Sequence, residues 1–99
     1  VGLISPWNFP INLTFAPLAG ILAAGNRAMI KPSEFTPATS ALLAKLIDQT
    51  YDKEELFVIN GEADVAATFA SLPFDHLLFT GSTVIGKKVA TIKELNNKD

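Results

Sequence analysis

Apolar residues in this chain fall into four short runs. Each is followed by a polar or proline-rich break and then by a longer stretch with helical spacing. Val1-Gly2-Leu3-Ile4 opens the first run, and Pro6-Trp7-Asn8-Phe9-Pro10 closes it, because two prolines cannot continue a strand ladder. Ile11 to Ala24, rich in Ala and Leu, predicts a helix with Pro17 in or beside its first turns and Gly25-Asn26 as its stop. Ala28-Met29-Ile30 predicts a second strand, halted by Lys31-Pro32-Ser33-Glu34. Thr36 before Pro37 predicts a capped helix start, and Leu42, Leu43, Leu46 and Ile47 predict its apolar face.

The alternation then repeats. Leu56 to Ile59 predicts a third strand ended by Asn60-Gly61, and Ala63 to Leu72 a helix with Val65, Ala66 and Phe69 on one side. His76 to Phe79 predicts a fourth strand ended by Thr80-Gly81-Ser82. Ile85, Val89 and Ile92 mark the last helix, with Lys93–Asp99 as a polar tail. Strands without polar alternation, separated by helices, predict an α/β fold of order βαβαβαβα. The sheet is open and parallel with helices on both faces, Rossmann-like, and its crossovers are right-handed.

Composition narrows the function. At 99 residues, 48% hydrophobic and 18% charged, the chain is long and apolar enough for one domain with a real core. Val1 to Ile4 reads as a strand already under way, so residues 1–99 are expected to be part of a longer sequence. The chain has no cysteine, which excludes disulfides, Cys-ligated zinc, iron–sulfur chemistry and a thiol nucleophile within it. No metal site is expected. Eight basic against ten acidic residues leave no surplus to neutralise phosphates, so nucleic acid is not an expected partner. The longest apolar stretch, Leu13 to Ala24, is broken by Pro17 and falls short of the ~20 residues of a membrane span.

In open parallel sheets ligands bind at the carboxyl ends of the strands. The loops there are Ser5–Pro10, Lys31–Glu34, Asn60-Gly61 and Thr80–Ser82, and they hold Asn8, Lys31, Ser33, Glu34, Gly61, Gly81 and Ser82. One composite site is expected. No G-x-G-x-x-G follows a strand. Gly81 to Lys87 matches G-x-x-x-x-G-K, but Lys88 stands where a P-loop needs Ser or Thr for Mg²⁺, which counts against a nucleoside triphosphatase. Two readings of Gly81-Ser82 stay open: a helix start offering N–H groups to a phosphate, or a tight turn and cap. Asn8 has the bland reading of a helix N-cap, Trp7 of partial core packing, and Lys31 and Glu34 of a solvated pair. His76 has no partner in any motif and reads as structural or exposed, and Asp64 and Asp75 attract no functional reading.

Ile4-Ser5-Pro6-Trp7-Asn8-Phe9-Pro10, Lys31-Pro32-Ser33-Glu34 and Phe79-Thr80-Gly81-Ser82-Thr83 resemble, in order and spacing, three signatures of the NAD(P)-dependent aldehyde dehydrogenase superfamily. Ala23-Ala24-Gly25-Asn26 resembles that family's helix end. The resemblance spans nearly the whole chain and implies a partial dinucleotide-binding domain of a longer enzyme, inactive as this segment alone. It implies oxidation of an aldehyde to a carboxylic acid through a cysteine thiohemiacetal, with NAD as cofactor and NADP possible. A cytoplasmic homo-oligomer is the implied setting. By the same resemblance Asn8 is an oxyanion donor, and Ile4, Ser5, Pro6 and Trp7 are contacts beside the nicotinamide ribose and pyrophosphate. Lys31 and Glu34 hold the adenosine ribose with Ser33 nearby, Gly61 and Ile85 flank the adenine, and Ser82, Phe79 and Gly81 border the pyrophosphate.

Three departures stand beside this. There is no cysteine, no Glu-Leu-Gly-Gly-type motif follows Ile92, and Val84 occupies a position that is often acidic in the family. The short segment between Ile47 and Leu56 resembles the shorter-chain branch acting on aliphatic or aromatic aldehydes. The alternatives are a non-catalytic α/β binding or assembly module and, further off, a P-loop-type nucleotide-binding domain.

Overall fold

Strands and helices alternate strictly in the computed structural model, which describes residues 1–96. They are β1 (Gly2–Ile4), α1 (Asn12–Ala23), β2 (Ala28–Lys31), α2 (Pro37–Thr50), β3 (Leu56–Val58), α3 (Ala63–Ser71), β4 (Leu77–Phe79) and α4 (Thr83–Asn96). The strands form one parallel sheet of order β3-β2-β1-β4, with Leu3 paired to Ile30, Ile30 to Val58, and Ile4 to Phe79.

The period of two along each strand divides the core. Leu3, Ala28, Ile30, Leu56 and Val58 meet Leu18, Leu43 and Ile47 of α1 and α2. Ile4, Met29, Leu77 and Phe79 instead meet Phe69, Ala70, Val89 and Ile92 of α3 and α4. Burial on both sides explains why no strand alternates apolar with polar residues.

Three local expectations change. Leu42 and Leu46 do not share the buried face of Leu43 and Ile47. They are 56% and 52% exposed, because consecutive helical positions lie about 100° apart and the sheet covers only one of each pair. Thr36 occupies the N-cap position of α2, yet its hydroxyl caps no amide and lies 3.3 Å from the Ser33 carbonyl, to which it donates. The last helix runs on through Lys93 to Asn96, where a polar tail is expected. Lys93 anchors that extension by donating to the Leu72 and Phe74 carbonyls at 3.3 and 2.9 Å. The rest of the expected tail, 97–99, lies outside the described residues.

The stop after α1 is a Schellman arrangement. Asn26 N donates to Ile21 O at 3.2 Å and Gly25 N to Leu22 O at 3.0 Å, with Gly25 at φ +84°. A Cβ on Gly25 would meet nothing within 4 Å, so the left-handed backbone alone sets the cost of a side chain there. Gly25→Ala is expected to destabilise the protein by ~1–2 kcal/mol, and Gly25→Asn by less, since Asn tolerates this conformation. Denaturant unfolding of both variants checks the ranking, and equal losses would contradict it.

Candidate functional site

The chain builds outward from β1 to β2 to β3, then crosses back to set β4 on the other side of β1. At that reversal the strand-end loops part, and a cleft of about 750 Å³ opens between them. Ile4, Ser5, Pro6, Trp7 and Asn8 line it from β1, Ser33 and Glu34 from β2, and Phe79, Gly81, Ser82 and Ile85 from β4 and α4. Lys31 lies behind the Glu34 wall. Gly61 does not line the cleft: it sits under Val65, whose side chain a Cβ on Gly61 would strike.

The β1 loop leaves the sheet with Ser5 buried at 4% exposure and turns outward at two prolines. Trp7 at its apex is 63% exposed, so the partial core packing expected for it does not occur. Asn8 is also exposed, and α1 begins only at Asn12, so Asn8 is not that helix's N-cap. Phe9 adopts φ 49°, a left-handed backbone uncommon outside glycine. Thr14, at 1% exposure, has its Oγ1 2.7 Å from Ser5 Oγ and 2.6 Å from the Pro10 carbonyl. Thr14 Oγ1 is the donor toward both groups, and its one proton serves the Ser5 hydroxyl or the Pro10 carbonyl in turn.

The β2 loop carries the charged pair. Lys31 is 1% exposed, donates to the Pro32 carbonyl, and has its Nζ 3.9 Å from Glu34 Oε2. Burial holds its pKa below the ordinary 10.5, partly opposed by the Glu34 charge. A solvated pair does not describe it: the ammonium is inside and only the carboxylate reaches the cleft. The turn is braced from below. Ser33 Oγ accepts from Phe35 N at 3.1 Å, and Ser40 of α2 donates to the Ser33 carbonyl at 3.1 Å.

At the β4 end, Ser82 caps α4, its Oγ accepting from Ile85 N at 3.2 Å. The amides of Thr83 and Val84 open the helix and have no helical carbonyl four residues back. Gly86 N already bonds Ser82 O at 2.9 Å, so Thr83, Val84 and Ile85, between the two glycines, lie within the helix. A P-loop needs those residues as a non-helical cradle, and the structure removes this reading. A Cβ on Gly81 would stand 2.7 Å from the tip of the Phe79 ring, so glycine there lets the ring lie against the turn.

Sequence reasoning missed the wall opposite the loops. Ala63, Ala66, Ala67 and Ala70 of α3 line the cleft, as do Phe35 and Lys88. The alanines recur at i, i+3, i+4 and i+7, a stripe of small side chains whose spacing was readable. Phe35, 75% exposed, and Lys88 gave no signal. His76 is exposed and contributes only a carbonyl, to Gly2 N at 2.8 Å.

A parallel sheet covered on both faces, with its cleft at the reversal of strand order and a capped helix opening onto it, defines a Rossmann-like α/β unit. The chain belongs to the aldehyde dehydrogenase family, whose model matches residues 1–99. It is 63% identical over 89 residues to a coniferyl aldehyde dehydrogenase of Pseudomonas sp., covering 90% of this chain and 18% of that protein. The substrate-bound structure of Staphylococcus aureus AldH superposes with a TM-score of 0.91 at 43% identity, over 96% of this chain and 21% of that one. An NAD-dependent aldehyde dehydrogenase from Sinorhizobium meliloti matches with a TM-score of 0.77 at 33% identity, over 98% and 20%. The chain thus spans about a fifth of the length of these relatives.

A buried lysine whose pKa lies below 10.5 binds its proton less readily folded than unfolded. Its charge therefore opposes folding at neutral pH, and that cost fades as pH rises from the folded pKa toward 10.5. Without ligand, the stability of the parent relative to Lys31→Met is expected to rise between neutral and alkaline pH. Denaturation of both proteins across that range measures it, and a constant difference would contradict it.

Proposed function

We propose that residues 1–99 form part of the dinucleotide-binding domain of an enzyme oxidising an aldehyde to a carboxylic acid with NAD⁺, and to a lesser extent NADP⁺. The observation that carries this reading is the cleft at the β1/β4 reversal, which gathers an amide side chain, a carboxylate and an open helix end.

The donor set fits such a cofactor. The Thr83 and Val84 amides and the positive end of α4 suit a pyrophosphate. Glu34, with Lys31 behind it, suits ribose hydroxyls. The alanine stripe of α3, with Ile85 and Val89 opposite, makes a slot of small and apolar groups suited to a flat ring. The Ser5 hydroxyl is engaged with Thr14 and its amide with the Lys31 carbonyl, which leaves the Ser5 carbonyl as its group for a ligand. When bound, the cofactor supplies the hydride acceptor. Asn8 donates an N–H to the aldehyde oxygen, stabilising its charge while a thiol from elsewhere in the longer polypeptide attacks. An assembly module of the same fold would bind neither cofactor nor aldehyde, so saturable NAD⁺ binding by the full-length protein separates the two. The names of the Pseudomonas relative and of one from Caulobacter vibrioides, 62% identical, support an aromatic aldehyde as substrate.

Two variants of the full-length enzyme test the assignment. Asn8→Ala is expected to lower kcat by ~10²–10³ with little change in cofactor affinity, as for other single oxyanion donors. Unchanged turnover would leave Asn8 a loop residue and nothing more. Glu34→Ala is expected to raise the NADP/NAD ratio of kcat/KM by about tenfold, ~1.4 kcal/mol, because the carboxylate repels a 2′-phosphate and accepts from a 2′-hydroxyl. Steady-state kinetics with both cofactors reads the ratio, and no shift would mean that Glu34 does not face the ribose.

A further inference from the structure

The loop that carries Asn8 is poorly able to brace itself. Pro6 and Pro10 bring no N–H, the three residues between them are exposed, and Phe9 holds a left-handed backbone that surroundings must maintain. Its backbone ties lie at the margins: Ser5 N to Lys31 O at 3.0 Å on entry, and Leu13 N to Phe9 O at 3.0 Å on exit. One side chain spans the gap. Thr14 Oγ1 contacts Ser5 Oγ and Pro10 O, the first and last residues of the loop, from a position 1% exposed to solvent. The Thr14 amide bonds Ile11 O at 3.2 Å, so its hydroxyl serves the Pro10 carbonyl that a regular first turn would give to that amide.

We propose that Thr14 is a positioning residue for Asn8: its hydroxyl ties both ends of the Ser5–Pro10 loop and so fixes where the Asn8 amide is presented. The proposal rests on the reading of Asn8 as the oxyanion donor. An isosteric Val would keep the packing and leave a partly buried carbonyl and a buried hydroxyl without their partner. The loop then relaxes about its ends, and a displacement of about 1 Å at a donor is enough to cost ~10²-fold in rate.

The test uses the full-length enzyme with NAD⁺ and an aldehyde that it oxidises. Thr14→Val is expected to lower kcat about tenfold or more, with the Kd for NAD⁺ within about twofold of the parent. Thr14→Ser, which keeps the hydroxyl, is expected to restore kcat. In an Asn8→Ala background Thr14→Val is expected to produce no further loss, because the group it positions is gone. Where the valine variant does not fold, Ser5→Ala removes the other hydroxyl of the pair. It is expected to lower kcat in the parent and not in the Asn8→Ala background. Equal losses in both backgrounds, or a parental kcat for both Thr14→Val and Ser5→Ala, would overturn the proposal. If Asn8→Ala itself retains parental kcat, the reading of Asn8 fails first, and the positioning proposal with it.

Discussion

Two parallel strands cannot be joined by a tight turn, and this constraint shapes everything else in the molecule. Each strand must be followed by a return path the length of the sheet, which here is a helix every time. The helices cover both faces, and the strands become apolar throughout. All four strands also end at the same edge, so four loops distant in sequence become neighbours in space. The path from β3 to β4 then decides where a ligand fits. It crosses behind β1 and sends α3 and α4 to the opposite face from α1 and α2, and the loops separate at the boundary.

The same edge is where the interior is least apolar. The buried polar side chains of the described residues are Ser5, Thr14, Lys31, Ser33 and Ser40, and each lies at or under the ends of β1 and β2. Every buried polar side-chain atom among the described residues has a partner, so the desolvation of these groups is compensated, though at the expense of a close-packed apolar end. Lys31 is the extreme member, since burial disfavours its charge and the neighbouring carboxylate relieves that only in part. Polar groups placed against the grain of a core, all at one end of a sheet, are where a fold trades stability for a shaped site.

The parts of this architecture that sequence could reveal are those governed by local chemistry. The strand and helix alternation, the Gly25-Asn26 stop and the Ser82 start each depend on residues within a few positions of one another, and each forms at the place their chemistry dictates. What depended on distant packing was not readable. Leu42 and Leu43 are equally apolar, and only the position of the sheet separates the buried one from the exposed one. Trp7 looked fit for the core, and two flanking prolines carry it out into solvent. The G-x-x-x-x-G-K pattern was undone by a single fact of geometry, the start of α4 at Thr83. Thr14 drew no attention, because a threonine inside an apolar helix shows its purpose only when the loop it holds is folded beside it.

On the proposed reading of Asn8 as the oxyanion donor, its contrast with Lys31 bears on why the exposed position carries an amide. A cation in the Asn8 position would attract anions from solvent before any reaction and would need desolvation on each turnover. A neutral amide binds weakly to a neutral carbonyl and more strongly as charge grows on its oxygen, which is the differential that lowers a barrier. The amide does not titrate, so its donation is the same across the working pH range. Such a donor has one weakness. It lacks the long reach of a charge, and it works only at hydrogen-bond distance and angle. On that reading an amide in this place demands a loop held in position, and the Ser5–Thr14–Pro10 contacts are the proposed answer to that demand.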